Sequence, residues 1–150
     1  MRVASVATLI LAMSSRLAAR ARPEAHLVVP TALAALVRLS HLAFVAARDP
    51  LFLHAVADSY YHVHEARQIL TEGWLLPGLG AFYKGPLYSY VLAILFAVFG
   101  ETAGVVAGRL LSVALGCGSV FLVARIAERL SGKTAAWIAG VFAALYGTSV

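Results

Sequence analysis

The stretch LVVPTALAALVRLSHLAFVAA, residues 27–47, decides the fold, because as a helix it is long and apolar enough to cross the ~30 Å hydrocarbon core of a bilayer. Two ionisable residues, Arg38 and His41, stand near its middle. Ionisable groups there cost about 2.5–3.5 kcal/mol on insertion scales, so we expect both to face a bundle interior or a water-filled cavity. For Arg38 two interpretations are open: a functional site, or pairing with a neighbouring helix or a lipid phosphate.

The composition of the whole chain agrees with a membrane protein. Of its 150 residues, 61% are hydrophobic and 13% are charged, whereas a soluble domain carries roughly 25% charged residues. This composition excludes disorder and disfavours a soluble monomer. The net charge of +5 is scattered between apolar runs and forms no basic stripe, which argues against a nucleic-acid partner. The single cysteine, Cys117, excludes a disulfide framework.

Further apolar segments predict an all-α fold, a polytopic transmembrane bundle of about four helices. We expect the last helix to be truncated, because it stays apolar to the final residue, and the chain to be the N-terminal part of a longer protein. The predicted segments are a cytoplasmic tail over residues 1–26, membrane helices over 27–47, 86–100, 105–130 and 134–150, and an extracytoplasmic loop over 48–85 with an interfacial helix over 58–72.

The basic residues orient the first helix but leave a conflict further along the chain. Three arginines between residues 16 and 22 precede this helix, so the positive-inside rule places its start in the cytoplasm. Counting four crossings then puts the turn at Gly100 inside and the basic residues of segment 125–133 outside, against the same rule. Either the N-terminal arginines dominate, or one of the short spans is re-entrant.

The loop over residues 48–85 is the only extended polar region, and polar groups that survive in such a protein mark the place to seek chemistry. Its segment DSYYHVHEARQILTE, residues 58–72, predicts an amphipathic helix on the membrane surface. Asp58 is a suitable N-cap for this helix and Gly73 a suitable end. The predicted apolar face consists of Val63, Ala66, Ile69 and Leu70.

Asp58 is the strongest candidate for chemistry, because a carboxylate at the head of an interfacial helix can accept a proton from an acceptor hydroxyl. Arg67 and Lys84 are cations able to hold a lipid-linked phosphate, although snorkelling to lipid headgroups explains them equally simply. Asp58, His62 and Glu65 share one helix face at i, i+4 and i+7. No cofactor is certain, and a divalent metal on this face stays open beside the alternative of a solvated helix surface.

The order of several short motifs resembles the N-terminal part of a GT-C integral-membrane glycosyltransferase. This class includes the protein O-mannosyltransferases, the lipid A aminoarabinose transferases and the bacterial dolichyl-phosphate-mannose-like transferases of the Rgt type. The resemblance spans residues 27–150. The motifs are DSYY (58–61), AR (66–67), IL (69–70), GW (73–74), FYKGPLY (82–88), FG (99–100) and GRL (108–110).

The resemblance implies transfer of a sugar, with inversion, from a polyprenyl-phosphate donor to an extracytoplasmic lipid, glycan or protein acceptor. It implies a multi-pass protein of the bacterial inner membrane, with membrane lipids around it and Asp58 as the general base. Arg67 and Lys84 match the family's positions by order along the chain. The remaining substrate-binding candidates of the same loop are Tyr61, His62 and Glu65.

Two departures from the family pattern concern the candidate site. Ser59 stands where many members have a second carboxylate, and Gly85 separates Lys84 from the following proline. Family members usually have eight or more membrane helices, so we expect these 150 residues alone to lack transferase activity. The alternative is a small non-enzymatic membrane protein, such as a transporter or assembly subunit, whose loop is structural.

Overall fold

The computed structural model describes residues 24–56, 58–74 and 85–146. In this part of the chain the fold is all-α, as the sequence predicts, with four helices and no strand. The helices are α1 (Ala25–Arg48), α2 (Asp58–Glu72), α3 (Pro86–Phe99) and α4 (Glu101–Tyr146). Helices α1 and α4 are long and apolar enough to cross a membrane.

Helix α4 consists of two limbs that meet at Gly132. This glycine has a φ of 83°, a left-handed conformation that glycine adopts without steric cost. We call residues 101–131 the first limb and residues 133–146 the second limb. The second limb folds back beside the first, since Ala136 packs near Ala124. The sequence predicts two separate helices with their break in the same place.

Helix α1 runs antiparallel to the first limb of α4. At one end Nε2 of His26 lies 2.8 Å from Oε1 of Glu128, and at the other Arg109 donates a hydrogen bond to the Phe52 carbonyl. Between Arg109 and Glu128 the limb extends for about 30 Å at 1.5 Å per residue, the thickness of a hydrocarbon core. We call the end with His26 the basic end, because segment 125–133 lies there, and the opposite end the loop end.

Small residues let α1 and the two limbs of α4 approach closely. A β-carbon on Gly140 would lie 2.8 Å from Cβ of Pro30 and 3.2 Å from Cβ of Ala124, so three helices meet at this glycine. Gly116 makes room for Arg38, whose Nε would lie 2.8 Å from a β-carbon there. Such approach through small residues is typical of membrane helices.

The two ionisable residues near the middle of α1 differ in environment. Arg38 is only 7% exposed, and its Nη1 lies 3.4 Å from the carbonyl oxygens of Ala34 and Ala144. The guanidinium thereby connects α1 with the second limb of α4, which favours pairing with a neighbouring helix over a separate site. His41, by contrast, is exposed.

Helices α2 and α3 pack together at the loop end. Helix α2 has the bounds that the sequence predicts, but its apolar face is covered by α3, and Leu70 is 43% exposed. The buried cluster between the helices consists of Val63, Ala66 and Ile69 from α2 and Leu92, Ala93 and Phe96 from α3.

Helix α3 packs antiparallel along the start of α4, from Gly104 to Leu111 and Leu115, which share a groove with the start of α3. Gly104 faces Phe96, and a β-carbon on Gly108 would lie 2.8 Å from Cδ2 of Leu92. The G-x-x-x-G pair of α4 therefore serves helix packing, as its sequence indicates. With 14 residues, α3 is about 21 Å long, which is shorter than the ~30 Å hydrocarbon core.

Candidate functional site

Two adjoining cavities lie at the loop end, where the segment after α1 meets α2 and the start of α4. The first has a volume of about 360 Å³ and includes Asp49 and Arg109 in its wall. The second, of about 490 Å³, extends to Arg67 and Glu101. Four residues line both cavities, which makes them neighbours: His54, Ala55, Val63 and Val105.

Arg109 is the cation of the first cavity. Its Nη2 donates a hydrogen bond to the Phe52 carbonyl at 2.8 Å, and its guanidinium carbon lies 4.5 Å from the centroid of the Phe52 ring. Both contacts hold the guanidinium at the cavity wall, and an arginine has further N–H donors for an anion. Arg109 is a site residue that the sequence did not predict, although the Gly-Arg-Leu motif (108–110) was an available signal.

Asp58 is exposed at the first position of α2, where the helix dipole favours a carboxylate. The next residue, Ser59, lines the first cavity, whereas Asp58 itself lines neither of the two cavities. Ser59 also stabilises this start of the helix, since its hydroxyl donates to the Val56 carbonyl at 2.7 Å and accepts from the Val56 N–H at 3.1 Å. The proposed base therefore lies on an ordered helix start with access to solvent.

Arg67 lines the second cavity but already has a carboxylate partner. Its Nη2 donates to Oε1 of Glu101, and both side chains are 52% exposed. This hydrogen bond is the largest cause that raises the pKa of Arg67 above its ordinary value. The pair connects α2 with the start of α4, so a lipid phosphate would compete with Glu101 for this guanidinium.

His62 and Glu65 meet through Ser89 of α3. Nδ1 of His62 lies 2.9 Å from Oγ of Ser89, and the same Oγ lies 2.5 Å from Oε2 of Glu65. Ser89 and Glu65 are both buried, at 0% and 4% exposure. The helical spacing of α2 placed His62 and Glu65 together, but Ser89 belongs to another helix, and no sequence signal connected it with them.

Of the other two predicted substrate-binding residues, the structure describes only Tyr61. Tyr61 is exposed, and its ring meets that of Tyr60 edge-on with 6.0 Å between the centroids. Lys84 lies outside the described residues.

Among the described residues, the set of three side chains close enough to share a metal ion lies at the basic end, not on α2. The ligand atoms of Glu24, His26 and Glu128 are within 4.8 Å of one another. Nη1 of Arg125 lies 2.6 Å from a carboxylate oxygen of each glutamate, so a guanidinium already balances their charge. We therefore assign this group to joining α1 with α4.

Comparison of the chain with known protein families, with curated proteins and with solved structures gives no match.

Proposed function

We propose that the chain belongs to a membrane glycosyltransferase that moves a sugar from a polyprenyl phosphate to an extracytoplasmic acceptor, with Asp58 as general base. The observation that supports this proposal is that Arg67 and Arg109 line adjoining cavities at one end of an apolar helix pair, with Asp58 next in sequence to Ser59 in the wall of the first cavity. A lipid-linked sugar donor has an apolar chain, a phosphate and a polar sugar, and each part finds a matching environment there.

In the proposed reaction the acceptor hydroxyl attacks the anomeric carbon of the sugar while Asp58 accepts its proton. The bond between the anomeric carbon and the phosphate oxygen breaks, and the polyprenyl phosphate leaves with the bonding electrons. Attack from the face opposite the phosphate inverts the configuration. Arg109, held by Phe52, is suited to the negative charge of the phosphate, and Arg67 and Lys84 are the further cations of the proposed site.

The proposal includes a membrane orientation with the loop end outside. Helix α3 is short, at 14 residues, and packs along the start of α4, so we propose that it does not cross the whole bilayer. The proposed full crossings are then α1 and the first limb of α4. Segment 125–133 lies at the same end as the start of α1, which three arginines precede in the sequence. The proposed orientation puts this end in the cytoplasm and so satisfies the positive-inside rule.

The replacement Asp58→Asn in the gene, expressed in its natural membrane, tests the proposed reaction. We expect the glycan product, measured by mass spectrometry of envelope extracts, to fall by about 100-fold or more, because an amide cannot act as a general base. The matched control is Glu72→Gln at the exposed end of α2, which should leave the product unchanged.

Unchanged product with Asp58→Asn would remove the enzyme interpretation and favour a non-enzymatic transporter or assembly subunit.

A further inference from the structure

An open groove beside the start of α3 has His62 in its otherwise largely apolar wall. Its lining continues along α4 to Leu111 and Leu115, which follow Arg109 and so belong to the proposed membrane crossing. Leu87 and Leu115 are 77% and 63% exposed, so the groove opens on the surface that would face lipid. A ligand with an apolar chain along the leucines and a polar head group at His62 would fit this groove.

The buried chain of Glu65, Ser89 and His62 limits where its protons can lie. The Ser89 hydroxyl has one proton, which it donates either to Glu65 or to Nδ1 of His62. If it donates to a Glu65 carboxylate, Nδ1 carries a proton, and the group is neutral only when Nε2 carries one as well. If Glu65 is a carboxylic acid that donates to Ser89, then Ser89 donates to Nδ1, and the neutral imidazole again has its proton on Nε2.

These two neutral arrangements give His62 an N–H donor at Nε2. The acid form with its proton on Oε1 of Glu65 would instead put the imidazole proton on Nδ1, but that Oε1 proton would have no hydrogen-bond partner among the described residues. A carboxylate with a neutral imidazole protonated at Nδ1 leaves a net negative charge on a group whose carboxyl is 4% exposed, and burying an uncompensated charge is strongly unfavourable. Within the described part of the chain, the hydrogen bond of the His62 ring is the one between Nδ1 and Ser89, so Nε2 is left for a ligand.

We propose that Glu65 and Ser89 position His62 so that its Nε2–H binds the phosphate of a polyprenyl phosphate whose chain lies along the groove. This inference rests on the proposed function and adds His62 to Arg109 as a group that contacts the phosphate, since Tyr88 lines both the groove and the first cavity. The hydrogen-bond donor matches an anionic phosphate, and the exposed leucines match an isoprenoid chain. His62 is then a binding residue, whereas Ser89 and Glu65 are positioning residues that act through it.

Photo-crosslinking tests this assignment without turnover. The full chain in lipid nanodiscs is incubated with a benzophenone-bearing polyprenyl phosphate, and the yield of crosslinks at groove residues is measured. We expect His62→Ala and Ser89→Ala each to lower the yield about tenfold at limiting probe, with unchanged helix content by circular dichroism. His64→Ala is the matched control, since His64 is exposed and stacks on Tyr60, and it should crosslink like the unmodified chain.

Nitrogen-15 NMR of histidine-labelled protein reads the proton arrangement directly, independently of any variant. We expect the His62 resonances to show a proton on Nε2 at neutral pH. An unprotonated Nε2 would overturn the proposed donor role, and so would wild-type crosslinking in both His62→Ala and Ser89→Ala.

Competition between lipids tests the choice of polyprenyl phosphate, and the Asp58 variant separates the lipid site from the transferase proposal. Competition by phosphatidic acid as strong as competition by unlabelled polyprenyl phosphate would overturn the polyprenyl assignment. If Asp58→Asn keeps the glycan product while crosslinking still depends on His62, the transferase proposal fails and the lipid site stands. If Asp58→Asn loses the product while the His62 and Ser89 variants crosslink normally, the lipid-site proposal fails alone.

Discussion

At the scale of a single side chain, the contribution of Arg67 to the stability of the fold depends on its partner, Glu101. The guanidinium and Glu101 are each 52% exposed, and an exposed pair of this kind stabilises a protein by about 0–1 kcal/mol. Because the pair raises the pKa of Arg67, its stabilisation is present at neutral pH and is lost as the pH rises through the raised arginine value. The pair thus joins α2 to the start of α4 but contributes little to the free energy of unfolding.

We expect Glu101→Gln to lower the free energy of unfolding by less than about 1 kcal/mol, equally from about pH 6 to pH 9, because Arg67 stays charged there. Denaturant unfolding in detergent, followed by circular dichroism, measures this change. Arg67→Gln should give a similar value. A loss of several kcal/mol from either replacement would mean that the pair is far less exposed to water than the structure shows.

Single-residue roles were predictable from sequence only where the partners lie on one helix. Of the three residues that the spacing within α2 grouped, Asp58, His62 and Glu65, the last two meet at the Ser89 hydroxyl, because residues three apart share a face. The hydroxyl that joins them comes from α3, and the carbonyl that holds Arg109 comes from the segment after α1. Contacts between distant segments depend on how helices pack, which periodicity does not encode.

At the scale of elements, helix bounds followed from local chemistry. Helix α2 begins at Asp58 and ends before Gly73, whose φ of 105° suits a helix end. The break in α4 falls at Gly132, which has a positive φ for the same reason. What the amphipathic pattern of α2 left undetermined was its apolar partner, because lipid and the face of α3 satisfy the same pattern equally well.

Packing between elements predicts a strong difference between two glycines of α4. Gly140→Ala would place a methyl group 2.8 Å from the rigid Pro30 ring, so we expect a loss of about 1–3 kcal/mol in the free energy of unfolding. Gly118→Ala is the control, because nothing lies within 4 Å of a β-carbon there and alanine favours a helix. Denaturant unfolding in detergent compares the two, and equal stability of both variants would contradict the close contact of α1 with the second limb.

At the scale of the whole molecule, the two ends of the bundle differ in chemistry. The basic end joins α1 to α4 through Arg125 and His26, whereas the loop end holds the cavities, the groove and the proposed base. The sequence predicted the apolar segments, and counting a crossing for each of the four produced a conflict with the positive-inside rule unless one short span is re-entrant. The proposed orientation, in which α3 does not cross, removes this conflict.

Cysteine accessibility in intact cells tests most directly the central claim that the proposed site lies outside and the basic end inside. Cys117 is replaced by serine, and single cysteines are introduced by Glu72→Cys, Ala103→Cys and Ser131→Cys, all at exposed positions. A membrane-impermeant maleimide should label the first two in intact cells and the third only after lysis. Labelling of Ser131→Cys in intact cells, with Ala103→Cys protected until lysis, would contradict the account.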